Sequence, residues 1–225
     1  MLLAGCGEAK YEYVSNVDEQ TYYKVPKGYT EVTEEVDELD NFYLSLNVDS
    51  ATALILRNQR WSKVYDASVA PSSTHLITPR RTPQPVIYSV VQHLLPRMQA
   101  IVSYNYMRDY LWPPVTEGAR KTYEDGWKEA IETGAVPPGQ KPYFSNFEAL
   151  DDQLLAPSDG IHGLRTIFNY EVADGSVNTF DLTIYTNNDS SVLYALLIRC
   201  EFKCYLARKA EFDDIATSFT VRSKA

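Results

Sequence analysis

The chain has 225 residues, 44% hydrophobic and 23% charged, which is enough apolar material for the core of one domain. Its formal net charge of −9 argues against nucleic acid as a partner, because phosphate binding needs clustered Lys and Arg. The same charge disfavours electrostatic attachment to an anionic bilayer. No run of about 18 apolar residues offers a spanning helix.

The first motif is Leu3-Ala4-Gly5-Cys6, which matches the end of a bacterial lipoprotein signal. Small residues suit the signal peptidase, and the cysteine thiol receives a diacylglyceryl group, so that two acyl chains anchor the protein stably. A full signal also needs a basic region and a longer apolar run, and only five residues precede Cys6. We predict that residues 1–5 are a signal remnant, that Cys6 is lipidated, and that residues 6–20 form a flexible tether. The alternative is an ordinary thiol in an N-terminal tail.

The first half of the domain is predicted to mix strands with short helices. Residues 21–32 alternate around a Pro-x-Gly turn, which predicts a strand and a turn. The acidic stretch 31–40 lacks the ligand spacing and turn glycine of a calcium loop, which favours a solvated helix face or loop. Residues 50–60 predict a short helix or strand, and residues 61–69 a strand. A proline-rich loop leads to a buried β-branched strand over 86–95.

Two helices are predicted in the middle of the chain. Ser103 is a good N-cap for a helix over 104–112. A second helix spans about 117–133, with Thr116 as its cap and Gly134 at its end. The Pro- and Gly-rich stretch that follows is predicted to be a long loop.

The last third predicts an antiparallel meander and a closing helix. The strands are expected over 164–172, 177–186 and 192–202, joined by the turns ADGS and NNDSS. The helix is expected over 209–221. The pattern therefore predicts one α+β domain over residues 21–225, a curved antiparallel sheet packed with helices.

Cys200 and Cys204 form an even pair once Cys6 is set aside. An exported protein meets oxidising conditions, so we predict a disulfide between them. In a straight strand, positions four apart are separated by about 13 Å, whereas a bridge needs Cα atoms within about 7 Å, so the chain must turn between them. The alternative is two free thiols on one face of a strand. The spacing indicates neither a zinc site nor a thioredoxin-type CxxC motif.

The three histidines do not predict a catalytic site. His75 follows Ser72, and His162 lies near Asp159, so a Ser/His/Asp hydrolase is conceivable, but no GxSxG motif is present. His93 sits in an apolar run and is interpreted as a satisfied core or edge residue. We predict no catalytic residue, no metal site and no cofactor.

An aromatic cluster is the candidate binding surface. Trp112 precedes two prolines, and Tyr106 and Tyr110 lie close to it in the chain. If these rings are exposed, they can bind a partner or a sugar polymer. If the rings are buried, they belong to the core, and this is the interpretation that we favour.

The segments CEFKCY and FDDIATSFTV resemble the C-terminal signature of Gram-positive, chiefly actinobacterial, surface lipoproteins of unknown function. WSKVYDASVAPSSTHLIT, MRDYLWPPV and DGIHGLR resemble the same group. The resemblance implies a PsbP-like sandwich, some examples of which are assembly or binding modules.

We therefore expect a non-enzymatic protein, anchored by lipid at the outer face of the cytoplasmic membrane, that binds or scaffolds an unknown protein or cell-wall partner. One alternative is a phage- or prophage-encoded lipoprotein that excludes superinfecting phage. The other alternative is an envelope hydrolase.

Overall fold

The computed structural model describes residues 10–46, 48–158 and 160–222. The strands are β1 (Tyr11–Asn16), β2 (Thr21–Pro26), β3 (Thr30–Val32), β4 (Arg60–Asp66), β5 (Val86–His93), β6 (Phe144–Ser158), β7 (Ile161–Val172), β8 (Val177–Asn187), β9 (Val192–Glu201) and β10 (Thr220–Val221). The helices are α1 (Val36–Ser45), α2 (Ser50–Arg57), α3 (Pro96–Gln99), α4 (Tyr104–Arg108), α5 (Glu117–Glu132) and α6 (Phe202–Ser218), with a 3-10 turn at Ser73–Leu76.

Two antiparallel sheets organise the domain. The larger has seven strands in the order β3-β4-β5-β9-β8-β7-β6, and the smaller has the order β1-β2-β10. Side chains alternate across a strand, so Tyr88 of β5 packs into one core while its neighbour Ile87 packs into the other. Helices α1 to α4 cover the first face, and the small sheet with α6 covers the second. The predicted antiparallel sheet packed with helices is confirmed.

The meander of β7, β8 and β9 forms as predicted, and almost all of its side chains are buried. Gly175 takes a φ of +83° in the first turn, where a residue without Cβ avoids strain. The end of the meander differs from the prediction, because β9 stops at Glu201 and α6 begins at Phe202 rather than near Lys209. The segment CEFKCY is therefore a strand-to-helix junction.

The prediction of a long loop after α5 is wrong in part, because β6 occupies Phe144–Ser158. β6 is an edge strand that pairs with β7 through three register shifts. Each shift moves the side chains to the other face, which hides the alternation that a strand shows in sequence. The exposed acidic residues Glu148, Asp151 and Asp152 and the bulges together discourage pairing with another chain.

The prediction of a flexible tether over residues 6–20 is wrong for residues 11–16. Residues 11–16 form β1, which pairs with β2 in a register that places Val14 opposite Tyr23. Val14 is the only fully buried side chain of β1, so the strand shows little periodicity in sequence. Cys6 and the predicted signal remnant, residues 1–5, lie outside the described residues.

The predicted helix caps are confirmed. Ser103 Oγ accepts the amide of Tyr106, and Thr116 Oγ1 accepts the amide of Ala119. α5 buries no side chain completely, so it lies against the domain rather than within it. None of the helices in the described part of the chain is long and apolar enough to cross a membrane.

A buried ion pair joins α1 to the large sheet. Arg60 Nε of β4 donates to Asp40 Oδ1 at 2.9 Å, and the two side chains are 1% and 8% exposed. The hydroxyls of Tyr88 and Ser62 also donate to the Asp40 carboxylate, each at 2.6 Å. The carboxylate is thus satisfied on both oxygens, as a buried charge requires.

A second buried arginine, Arg199 of β9, holds the proline-rich loop. Its guanidinium donates to the carbonyl oxygens of Leu76 and Thr78, each at 2.7 Å, and of Arg80 at 3.1 Å. It also lies over the ring of Phe180, 5.0 Å from the centroid. Complete burial lowers the pKa of Arg199 to about 9, so the group still carries its charge at neutral pH.

Candidate functional site

A polar cleft with two lobes lies at one end of the large sheet, and we call it the end cleft. Both lobes are lined by Glu19, His93 and Ser191. The first has a volume of about 570 Å³ and extends along the β8–β9 turn, residues 187–191. The second has a volume of about 640 Å³ and extends to Asn58, Gln59 and Gln99. Cleft volumes of this size accommodate a small ligand or a segment of a polymer.

The β8–β9 turn forms one wall of the end cleft and is fixed by its own side chains. Asn187 Oδ1 accepts the amide of Val192 at 3.1 Å, and Asp189 Oδ1 accepts the amide of Ser191 at 3.1 Å. Hydrogen bonds from Ser191 lower the pKa of Asp189, which is therefore a carboxylate at neutral pH. The wall therefore carries negative charge.

The centre of the end cleft is the pair formed by Glu19 and His93. Glu19 lies in the β1–β2 turn, where its amide donates to Asn16 Oδ1, and His93 is the last residue of β5. His93 Nε2 lies 2.9 Å from Glu19 Oε1 and donates to it. Glu19 Oε2 is buried from solvent and has no hydrogen-bond partner among the described residues. Buried polar atoms nearly always have a partner, so this oxygen calls for a donor from outside the described residues, either a water molecule or a ligand group.

Aromatic surface and a cation complete the end cleft. Tyr194 lines the first lobe, and Trp61 lines the second. Burial raises the pKa of Tyr194 to about 12, so its hydroxyl stays protonated and can donate. Arg222 reaches the first lobe and lies over the ring of Tyr22. The end cleft thus combines amides, hydroxyls, two carboxylates, a guanidinium and ring faces.

The predicted aromatic surface packs mainly against the core. Tyr110 is 8% exposed, and its hydroxyl accepts a hydrogen bond from Arg60. Tyr106 is half-buried, 6.3 Å from Tyr110 between ring centroids. Trp112 is half-buried and makes an edge contact with Tyr123 at 5.0 Å. Trp112 and Tyr110 line a groove of about 410 Å³ beside α5, and their role in binding stays a prediction.

Among the described side chains, the structure does not assemble the hydrolase that the histidines allow, and Asp159 lies outside the described residues. His75 Nδ1 lies 2.7 Å from Asp66 Oδ2, but Ser72 Oγ donates to Glu35 and thereby lowers the pKa of that carboxyl. His162 packs edge-on against Tyr104. Among the side chains of residues 10–46, 48–157 and 160–222, no serine hydroxyl is hydrogen-bonded to a histidine ring. The same part of the chain holds no group of three His, Cys, Asp or Glu side chains arranged to bind a metal ion.

Cys200 and Cys204 are free thiols in the structure, and the predicted disulfide is not formed in it. The prediction that the chain turns between them is correct, because Cys200 ends in β9 and Cys204 lies in the first turn of α6. Cys204 packs against the buried cluster that contains Cys200. Their oxidation to a bridge stays a prediction, as does the lipidation of Cys6, which lies outside the described residues.

The end cleft is not predicted from the sequence because the two residues at its centre lie far apart in the chain. Glu19 and His93 are 74 positions apart, and Glu19 falls in the stretch predicted to be a tether. The isolated polar residue His93 at the end of an apolar strand is the one local signal, and it indicates only that a partner exists.

No protein-family model and no curated protein matches the chain. Among solved structures, the chain is similar to PsbP (CyanoP) from Synechocystis sp. PCC 6803, with a TM-score of 0.46 and 13% identity over 99% of this chain and 98% of that one. It is also similar to the Ran-binding protein Mog1p of Saccharomyces cerevisiae, with a TM-score of 0.39 and 8% identity over 94% and 95% of the two chains. A third similar structure is PA94, a protein of unknown function from Pseudomonas aeruginosa, with a TM-score of 0.38 and 5% identity over 96% and 100%. The assignment of an α+β sandwich rests on the strands and helices of this chain.

Proposed function

We propose that the protein is anchored by a lipid on Cys6 at the outer face of the cytoplasmic membrane, and that its domain is a binding module rather than a catalyst. The end cleft is its binding site. The observation that carries this proposal is the buried Glu19 Oε2, which has no hydrogen-bond partner among the described residues. A ligand hydroxyl or N–H group placed there would satisfy the carboxylate.

The composition of the end cleft favours a neutral ligand rich in hydroxyl and amide groups. Asn188 and Gln59 each offer a donor and an acceptor, which matches a hydroxyl that does both. The carboxylate of Asp189 and the guanidinium of Arg222 oppose each other in sign, so a polyanion or polycation gains little. Trp61 and Tyr194 supply apolar faces for the carbon skeleton of such a ligand. A segment of a cell-wall glycan has this chemistry.

Replacing Glu19 is expected to weaken recognition of such a ligand. We expect chitotetraose, an N-acetylglucosamine oligomer, to shift the amide resonances of Glu19, His93 and Asn188 in a saturable NMR titration. Glu19→Ala is expected to weaken the affinity at least about tenfold, because it removes a charge-assisted hydrogen bond of about 1.5–3 kcal/mol. Asp18→Ala, an exposed change in the same turn, is the matched control and leaves the affinity unchanged. Shifts confined to α5, or none at all, would contradict the end cleft as a glycan site.

The anchor is tested separately from the end cleft. With a complete signal upstream, Cys6→Ser is expected to move the protein from the membrane fraction to the medium, because no acyl chain holds it. Cys204→Ser, the matched control, is expected to stay at the membrane. Membrane-bound protein whose N-terminal peptide carries no acyl mass would exclude the lipid anchor. Since the glycan titration uses the unlipidated chain, either half of the proposal can fail alone.

A further inference from the structure

The junction of β9 and α6 holds two thiols that differ in their burial. Cys200 is fully buried on β9, whereas Cys204, the third residue of α6, is half-buried. Glu201, with a φ of −54° and a ψ of 143°, turns the chain from strand to helix between them. This turn packs Cys204 against the same buried cluster as Cys200, whereas a straight strand would hold residues four apart at a distance of about 13 Å.

The surroundings of Cys204 favour its thiolate. It lies in the first turn of a 17-residue helix, whose free amides and dipole stabilise negative charge. The guanidinium of Arg208, one turn along α6, is held by Glu211 at 2.6 Å and lies over the ring of Tyr29. The carboxylates of Glu201 and Glu211 oppose this effect from β9 and α6.

The two thiols consequently differ in acidity. The hydrogen bond from the Cys200 thiol is the main cause that lowers the pKa of Cys204, and Arg208 lowers it further. Burial raises the pKa of Cys200 well above its usual range. One thiol is therefore half-exposed and more readily ionised than an ordinary cysteine while its neighbour is buried and protonated, which is the arrangement of an attacking and a resolving cysteine.

We propose that the Cys200–Cys204 pair is a thiol–disulfide exchange site that reacts with low-molecular-weight disulfides. The Cys204 thiolate attacks one sulfur of the disulfide, forms a mixed disulfide and releases one thiolate. Cys200 then gives its proton to water or to the departing thiolate and attacks Cys204 Sγ. The products are a Cys200–Cys204 bridge and two molecules of the reduced small thiol, so the protein loses two hydrogen atoms and the disulfide is reduced.

Glutathione disulfide and mass spectrometry test the order of attack. In a Cys6→Ser background, the intact pair is expected to lose two hydrogen atoms with no lasting adduct. Cys200→Ala is expected to accumulate a glutathione adduct on Cys204, because the resolving thiol is absent. Cys204→Ala is expected to form no adduct on Cys200 while folded, and circular dichroism confirms that each variant is folded. An adduct on Cys200 in Cys204→Ala, or none on Cys204 in Cys200→Ala, would overturn the proposal.

The pH dependence of alkylation gives a second, independent readout. Iodoacetamide is expected to modify Cys204 before Cys200, with a rate midpoint below the value of about 8.5 for an ordinary cysteine. Arg208→Gln is expected to raise that midpoint, whereas Lys203→Gln, which removes an exposed charge in the same turn, leaves it unchanged. Equal modification of both thiols, or modification only after unfolding, would overturn the assignment. All these measurements use a chain without Cys6 and without ligand, so their outcome does not depend on the anchor or the end cleft.

Discussion

Asp40→Ala is expected to lower the free energy of unfolding by about 3–5 kcal/mol, the cost of breaking a buried ion pair from one side. The change leaves the Arg60 guanidinium buried with only neutral partners, Gln92, Tyr88 and Tyr110. It also removes the acceptor of Ser62. Because α1 packs on the large sheet around this pair, the loss affects the whole domain rather than one edge.

The matched control is Asp37→Ala on the same helix. Asp37 pairs with Arg57, but its side chain is 75% exposed. An exposed pair contributes at most about 1 kcal/mol, so this variant is expected to unfold close to the wild-type urea midpoint. Urea denaturation of both variants gives the comparison. Equal losses for Asp37→Ala and Asp40→Ala would show that burial does not determine the strength of these pairs.

Arg199→Ala is expected to lower the free energy of unfolding by about 3 kcal/mol or more. The carbonyl groups of Leu76 and Thr78 lose their donor, at about 1–3 kcal/mol for each buried group left unsatisfied. A cavity beside Phe180 adds to the loss. The removal of a buried charge that no carboxylate hydrogen-bonds offsets part of this cost.

The effect of Arg199→Ala is expected to begin in the proline-rich loop. Hydrogen exchange at the amides of Ile77 and Thr78, which bond to Thr74, should accelerate before the sheet unfolds. Arg81→Ala removes a nearby arginine that is 57% exposed and pairs with Glu201, and is expected to cost less than about 1 kcal/mol. Unchanged exchange at Ile77 in Arg199→Ala would contradict a role for Arg199 in holding this loop.

The sequence predicts the meander well because its signals are local. β7, β8 and β9 are continuous apolar runs, and the turns between them contain the residues that tight turns require. β6 and β1 lack such signals for different reasons. The register shifts of β6 break its alternation, and β1 buries only Val14.

The candidate site depends on contacts that no local pattern encodes. Glu19 and His93 meet because the β1–β2 turn of the small sheet reaches the end of β5 in the large sheet. The cysteine pair is visible in the sequence, but the inequality in burial and acidity between its two thiols is not. That inequality follows from the early start of α6, which leaves Cys200 in the buried strand and places Cys204 at a helix terminus.

The direction of β1 limits how far each end of the domain would lie from a lipid on Cys6. β1 runs from Tyr11 to Asn16, so its six residues separate the N-terminal end of the strand from the turn that carries Glu19 by about 20 Å. Five residue steps join Cys6 to Tyr11 and span at most about 18 Å. A lipid on Cys6 would therefore keep the Tyr11 end within about 18 Å of the headgroups, while the end cleft lies at the opposite end of β1.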